Sequence, residues 1–188
     1  MKNTAMLALM LNLGVAGVYA QQTPINMTFS GTAGSSTINL QQSGTNNSED
    51  NSSGDGTFGP FTFRNVRAIR TSPEPSSTCS SPTQVYFSSV AGAGVFRFQD
   101  GSLLTVNVMD GSGCVNLTAM NAALIVKYAI TGGTGRFSRA SGELTMTATL
   151  MVVLRNASGA PALLTNTGKF EGAVFGVARR EDEEDEEP

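Results

Sequence analysis

Arg67 and Tyr128 are the side chains of this sequence whose setting could support chemistry. Arg67 falls between Phe63 and Ile69 on the apolar face of a strand-like run. Tyr128 alternates with Lys127, on a face shared with Leu124, Val126 and Ile130. A guanidinium or a phenol turned toward an apolar interior can orient or polarise a bound molecule. The plainer role of each is structural: an arginine reaching water from a strand end, and a tyrosine filling a core with its hydroxyl satisfied. The chain contains 0 histidines. That removes Ser-His-Asp and Cys-His catalysis, histidine metal sites and the commonest general base near neutral pH. Asp55, Asp100, Asp110 and Glu143 each adjoin a glycine, where a solvated turn residue is the ordinary reading. Glu171 lies in a strand pattern, but one acid does not make the pair that carboxylate chemistry needs. No catalytic residue, metal ligand or cofactor is expected.

The chain is organised for export. Lys2 gives a short positive start, Ala5 to Val18 is apolar apart from Asn12, and Val18-Tyr19-Ala20 offers small residues at the positions a signal peptidase reads. Residues 1–20 are therefore expected to be a signal peptide, too short to span a bilayer. No second apolar segment reaches spanning length, so no membrane insertion is expected after cleavage. The protein should be secreted, periplasmic or extracellular. In that compartment the remaining pair Cys79 and Cys114 is most simply a disulfide.

Charge separates the chain into body and tail. Residues 21–178 hold nine basic and eight acidic side chains, while residues 179–188 hold two arginines and seven carboxylates. The low isoelectric point thus describes the tail, which reads as a disordered, solvating extension. A sharper role for that tail is weak, multivalent capture of Ca²⁺ or a cationic partner. No basic patch of the size needed for nucleic-acid binding is present.

Residues 21–178 read as one β domain. Ile25, Met27 and Phe29 alternate with polar neighbours, the period-two pattern of a half-buried strand. Ser36 to Gln42 is a weaker second strand. Gly44 to Gly56 contains no hydrophobic residue and reads as a long exposed loop. Thr57 to Arg70 is strand-like, and Ser72 to Pro82, with three prolines, is a second long polar loop. Gln84 to Val90 and Gly94 to Gln99 suggest a hairpin through Ala91-Gly92-Ala93. Asp100-Gly101 and Asp110-Gly111-Ser112-Gly113 signal turns around a strand with Leu104, Val106 and Val108 on one face. Leu144 to Leu154 is the clearest strand: Leu144, Met146, Ala148, Leu150, Val152 and Leu154 share one face, and threonines line the other. Met151 and Val153 break that polar face, so the far end of the strand is expected to be covered on both sides. Asn156 to Gly159 turns the chain, and Gly168 to Val177 closes the domain. Eight to ten such strands mean a sandwich or a barrel, and the pattern leaves both open.

The run from Tyr128 to Thr145, Tyr-Ala-Ile-Thr-Gly-Gly-Thr-Gly-Arg-Phe-Ser-Arg-Ala-Ser-Gly-Glu-Leu-Thr, resembles a hairpin typical of the allene oxide cyclase-like barrel superfamily, dirigent proteins included. Lys169-Phe170-Glu171-Gly172 resembles the last strand of exported bacterial members of unknown role, and Asp100-Gly101-Ser102-Leu103 is compatible with the same pattern. The resemblance covers roughly the C-terminal half. It implies an all-β fold, a single antiparallel β-barrel of about eight strands. Gly132, Gly133 and Gly135 then serve as a structural turn, because glycine permits backbone angles that side-chained residues resist. A phosphate-cradling role for Gly133-Thr134-Gly135 fails, since a Thr-rich strand follows where such loops need a helix. Members of the superfamily that act on substrates use polar side chains inside the barrel to steer cyclisation or coupling. The matched motif is the turn, so no catalytic position carries over. Arg67 and Tyr128 are the lumen candidates. The expected function is an exported β-barrel binding or structural module without catalysis of its own, able to hold a small hydrophobic ligand. The competing expectation is a cyclase- or dirigent-like enzyme acting on a hydrophobic substrate in the lumen.

Overall fold

Eight strands, each hydrogen-bonded to the next in sequence, close on themselves because the last also pairs with the first. The computed structural model describes residues 21–70, 77, 79, 84–116 and 118–178. The strands are β1 (Thr23–Ser35), β2 (Thr45–Gly56), β3 (Phe61–Arg70), β4 (Gln84–Phe98), β5 (Leu103–Asn116), β6 (Asn121–Gly133), β7 (Ser141–Arg155) and β8 (Pro161–Phe175), with one 3₁₀ turn at Gly135–Phe137. All pairings are antiparallel. The proposed signal segment, the acidic tail and most of Ser72 to Pro82 lie outside the described residues.

Period-two alternation explains the closure. Ile25, Met27 and Phe29 of β1, Leu124, Val126, Tyr128 and Ile130 of β6, and Leu144, Met146, Ala148 and Leu150 of β7 all point into one shared core. Their outward neighbours, such as Asn26, Thr28 and Ser30, are exposed and polar. The lumen is thus the hydrophobic core, and closing the sheet removes every unpaired edge.

Four sequence expectations need correction. Gly44 to Gly56 is no loop but contains β2, paired with both β1 and β3. Its small inward residues make room for neighbouring rings: a Cβ on Gly54 would sit 2.9 Å from the Phe61 ring. A strand can therefore be buried by its backbone pairing without bringing apolar side chains of its own. Ser36 to Gln42, expected as a strand, is instead the β1–β2 connection. Ala91-Gly92-Ala93 and Asp110-Gly111-Ser112-Gly113 are not turns but lie inside the long strands β4 and β5. Both strands shift register nearby, so glycine marks irregular pairing here rather than chain reversal. Finally, the end of β7 is open on its outer face, where Met151 is 59% and Val153 60% exposed. A register shift between Val152 and Leu154 also takes Leu154 off the inward face.

The glycine turn joins β6 to β7 as expected, each glycine for its own reason. Gly132 and Gly135 have φ of +123° and +58°. At Gly133 a Cβ would collide with the Leu103 carbonyl oxygen. Phe137 returns from this turn into the core, fully buried.

The two ends of the lumen differ. At the end of the glycine turn, Phe58, Phe61, Phe96, Phe98, Phe137 and Phe170 pack as a continuous set of rings, with centroid separations such as 4.9 Å for Phe96–Phe170 and 4.9 Å for Phe98–Phe137. The Arg136 guanidinium lies 5.0 Å from the centroids of both Phe98 and Phe137, donates to the Phe58 carbonyl at 2.7 Å and pairs with Asp100 at 3.2 Å. This end is plugged. The opposite end is not.

Candidate functional site

The open end holds a cavity of about 580 Å³, within the usual range for small-molecule sites. Its wall is mostly apolar, with Ile69, Phe87, Val115, Leu124, Leu150 and Leu164 contributed by β3 to β8. Its polar floor is Arg67 and Ser89. The Cys79–Cys114 disulfide, with Cα atoms 5.5 Å apart, ties the β3–β4 connection to the end of β5 beside this opening. The cysteine pairing expected from compartment is therefore present.

Arg67 does not reach water from a strand end. It is 1% exposed and forms a buried ion pair with Asp50, which is 3% exposed. Both Nη2, at 2.8 Å, and Nε, at 3.2 Å, donate to Asp50 Oδ2. Arg67 Nη1 donates to Ser89 Oγ at 3.4 Å. Asn166 Nδ2 donates to Asp50 Oδ1 at 3.4 Å, and Ser52 Oγ donates to Asn166 Oδ1 at 3.3 Å. Burial is the largest single influence and works against the charge on Arg67, but the Asp50 charge, Tyr128 and the Asp50 hydrogen bonds together outweigh it and hold the guanidinium more firmly protonated than a free one. The pair is neutral as a unit, so the cavity floor offers hydrogen bonds without a net charge.

Tyr128 lies deeper and does not line the cavity. Asn65 Nδ2 donates to its hydroxyl oxygen at 2.7 Å, and its ring meets Phe63 edge-on at 6.1 Å. Burial pushes the phenol well above its ordinary range, the nearby Arg67 charge pulling the other way. The tyrosine is a core residue with a satisfied hydroxyl. Of the two lumen candidates, only Arg67 faces the opening.

Sequence reasoning missed Asp50, Ser52, Ser89, Asn65 and Asn166. Asp50 was obscured because its segment has no apolar alternation to report an inward face. One signal could have found it. A fully buried arginine requires a carboxylate partner, and such a partner must come from a neighbouring strand. Of the acids expected to be solvated turn residues, Asp55 and Asp100 end β2 and adjoin β5, while Asp110 and Glu143 lie on outward strand positions. Glu171 pairs with Lys169 on the outer surface at 2.8 Å.

Among the described residues, no helix is long and apolar enough to cross a membrane, and no group of three or more Cys, Asp or Glu is placed to hold a metal ion. No protein-family model matches this chain, and no curated protein matches it.

Proposed function

We propose that the open end of the barrel binds a small, mainly apolar molecule and performs no reaction on it. One observation carries this reading: an apolar-walled cavity is open at one end of a barrel whose other end is packed with phenylalanine. A core designed only for stability would be filled at both ends, because empty lumen forfeits packing. Arg67 and Ser89 at the floor suit a carbonyl or hydroxyl on the deep end of the ligand. A carboxylate suits it less, since Asp50 already neutralises the guanidinium and a second anion would be buried without a counter-charge.

The cyclase- or dirigent-like alternative draws support from the convergence of Arg67 and Ser89 and from the resemblance of the glycine hairpin. Against it, the cavity lining contains no carboxylate, tyrosine, cysteine or lysine among the described residues. No lining side chain can then take or give a proton near neutral pH. We read the protein as exported, on its N-terminal signal pattern and its disulfide.

The test uses the neutral apolar fluorophore N-phenylnaphthylamine. Its fluorescence should rise with purified protein and not with an Ala122→Trp variant, whose indole fills the cavity. Ala123→Trp, on the outward face of the same strand, should bind as the parent does. Equal binding by all three proteins would refute the site. Recovery of a bound ligand in chemically altered form would favour the enzyme.

A further inference from the structure

The guanidinium and the carboxylate at the cavity floor are not placed alike. Arg67 lines the cavity together with Ser89 and with Ser48, the residue opposite it on β2, whereas Asp50 does not line it. The guanidinium thus stands between the cavity and its own counter-charge. Arg67 directs both Nε and Nη2 at one oxygen, Asp50 Oδ2. Its Nη1 reaches Ser89 Oγ at 3.4 Å, a long hydrogen bond. An N–H on each of Nη1 and Nη2 is then left without an acceptor among the described residues.

A buried ion pair is a poor source of stability, since apolar side chains of similar volume often do as well or better. This one sits where the deep end of a ligand would meet it. An unpaired Arg67 would draw a carboxylate into bidentate contact. Asp50 cancels that attraction and leaves the N–H groups in place. The oxygen of an alcohol or a carbonyl can accept them and brings no charge with it. A carboxylate would add a second anion to a site where Asp50 already supplies the first, against the penalty for burying a charge without a partner. Above the floor, Ile69, Phe87, Leu124, Leu150 and Leu164 suit an apolar chain running toward the mouth.

We infer that Asp50 sets the selectivity of the cavity: by neutralising Arg67 from behind, it admits amphiphiles with a neutral oxygen head and turns away those with a carboxylate. The inference rests on the cavity being a ligand site and names the class of ligand it takes. Asp50 acts through Arg67, as a positioning residue.

Asp50→Asn separates charge from shape. Asn166 can turn its amide over, accepting from the new Nδ2 with its Oδ1 and giving its own Nδ2 to Ser52 Oγ. The hydrogen-bonded set survives and the negative charge is lost. Displacement of N-phenylnaphthylamine by 1-decanol and by decanoate, below their aggregation limits and at about pH 8 where the acid is ionised, reads the selectivity. On the parent, decanol should act at about a tenth or less of the decanoate concentration. On Asp50→Asn the order should reverse, because decanoate supplies the missing counter-charge. That variant should melt below the parent, and decanoate rather than decanol should raise its melting temperature. If it is unfolded alone, decanoate should restore its β-sheet circular dichroism by the same mass action. An Asp50 with a structural role alone would lower the melting temperature and leave the order of the two amphiphiles unchanged. Equal action of the two on a parent that takes up the dye would overturn the inference and leave the ligand site standing. So would a variant that keeps the parental order, or one that decanoate neither binds nor refolds. A parent that takes up no dye and is stabilised by neither amphiphile would remove the ligand site itself, and the inference with it.

Discussion

Asp50 on β2 and Arg67 on β3 meet inside the lumen, Nη2 to Oδ2 at 2.8 Å, both almost fully buried. Neither residue can be changed alone without leaving a charge in a low-dielectric interior, and that penalty exceeds the net worth of the pair. Asp50→Leu and Arg67→Met should each cost about 3–5 kcal/mol, a fall in melting temperature on the order of 10 °C. The double variant should be more stable than either single one, because it buries no orphaned charge. Urea denaturation of the four proteins gives the coupling. Additive losses would show that the pair does not act as a unit.

Tyr128 makes stability depend on alkaline pH. Its phenol is raised in the folded state and has the ordinary value of about 10 when unfolded. Above that pH the unfolded chain gives up a proton that the folded chain keeps, so stability present in full below about pH 10 is lost as the pH rises, by up to about 1.4 kcal/mol per unit. Tyr128→Phe should remove this steepness. It should also cost about 1–2 kcal/mol at neutral pH, since Asn65 Nδ2 loses its acceptor. Denaturant midpoints measured from neutral to alkaline pH, on both proteins, should diverge below pH 10 and converge above it.

Reduction should act on the open end. The Cys79–Cys114 bond spans a sequence separation of 35, and opening it frees the unfolded chain by about 4 kcal/mol on the loop-entropy relation. A reductant should therefore lower the urea midpoint of the parent and leave a Cys79→Ser/Cys114→Ser variant unmoved at that lower value. A parent indifferent to reductant would mean that the bond constrains nothing in the unfolded state.

What could be read from the residues followed their patterning. Strands with alternating apolar side chains, β1, β6 and most of β7, were legible down to the inward face, because burying one side of a pleated strand imposes a period of two. β2 was not legible: Asp50, Ser52 and Gly54 face inward, and polar or absent side chains carry no hydrophobic signal. Glycine misled within β4 and β5 for a related reason. Gly92 and Gly111 serve close packing against Arg67 and Ser89, a demand set by neighbouring strands rather than by local sequence. The site inherited both gaps, since Arg67 was visible from its own strand while Asp50 and Ser89 lay on segments read as loop or hairpin. The exposure of Met151 and Val153 was visible only as a broken alternation, which signals covering and exposure equally well.

The three glycines at the β6–β7 turn can be separated by substitution, and Gly133 is the most informative. Its backbone stays outside the left-handed region, so an alanine there faces no torsional penalty. The cost is steric: the new Cβ would occupy the position of the Leu103 carbonyl oxygen, 2.9 Å from the Leu103 carbonyl carbon, and 3.0 Å from the Phe137 Cβ. Backbone on one side and a buried aromatic on the other leave nothing flexible to yield. The adjacent hydrogen bond from the Thr134 N–H to the Leu103 carbonyl, 2.9 Å long, would have to lengthen as the strands part. Gly159 at the β7–β8 turn poses the opposite case, with φ of +80° and no atom within 4 Å of an added Cβ. Gly159→Ala should cost about 1 kcal/mol, the torsional penalty alone. Gly133→Ala should cost roughly 3 kcal/mol or more, as overpacking against fixed backbone does. Chemical denaturation of the two variants ranks them directly. If Gly133→Ala proved no worse than Gly159→Ala, close approach of β5 would not be the reason glycine stands at that position.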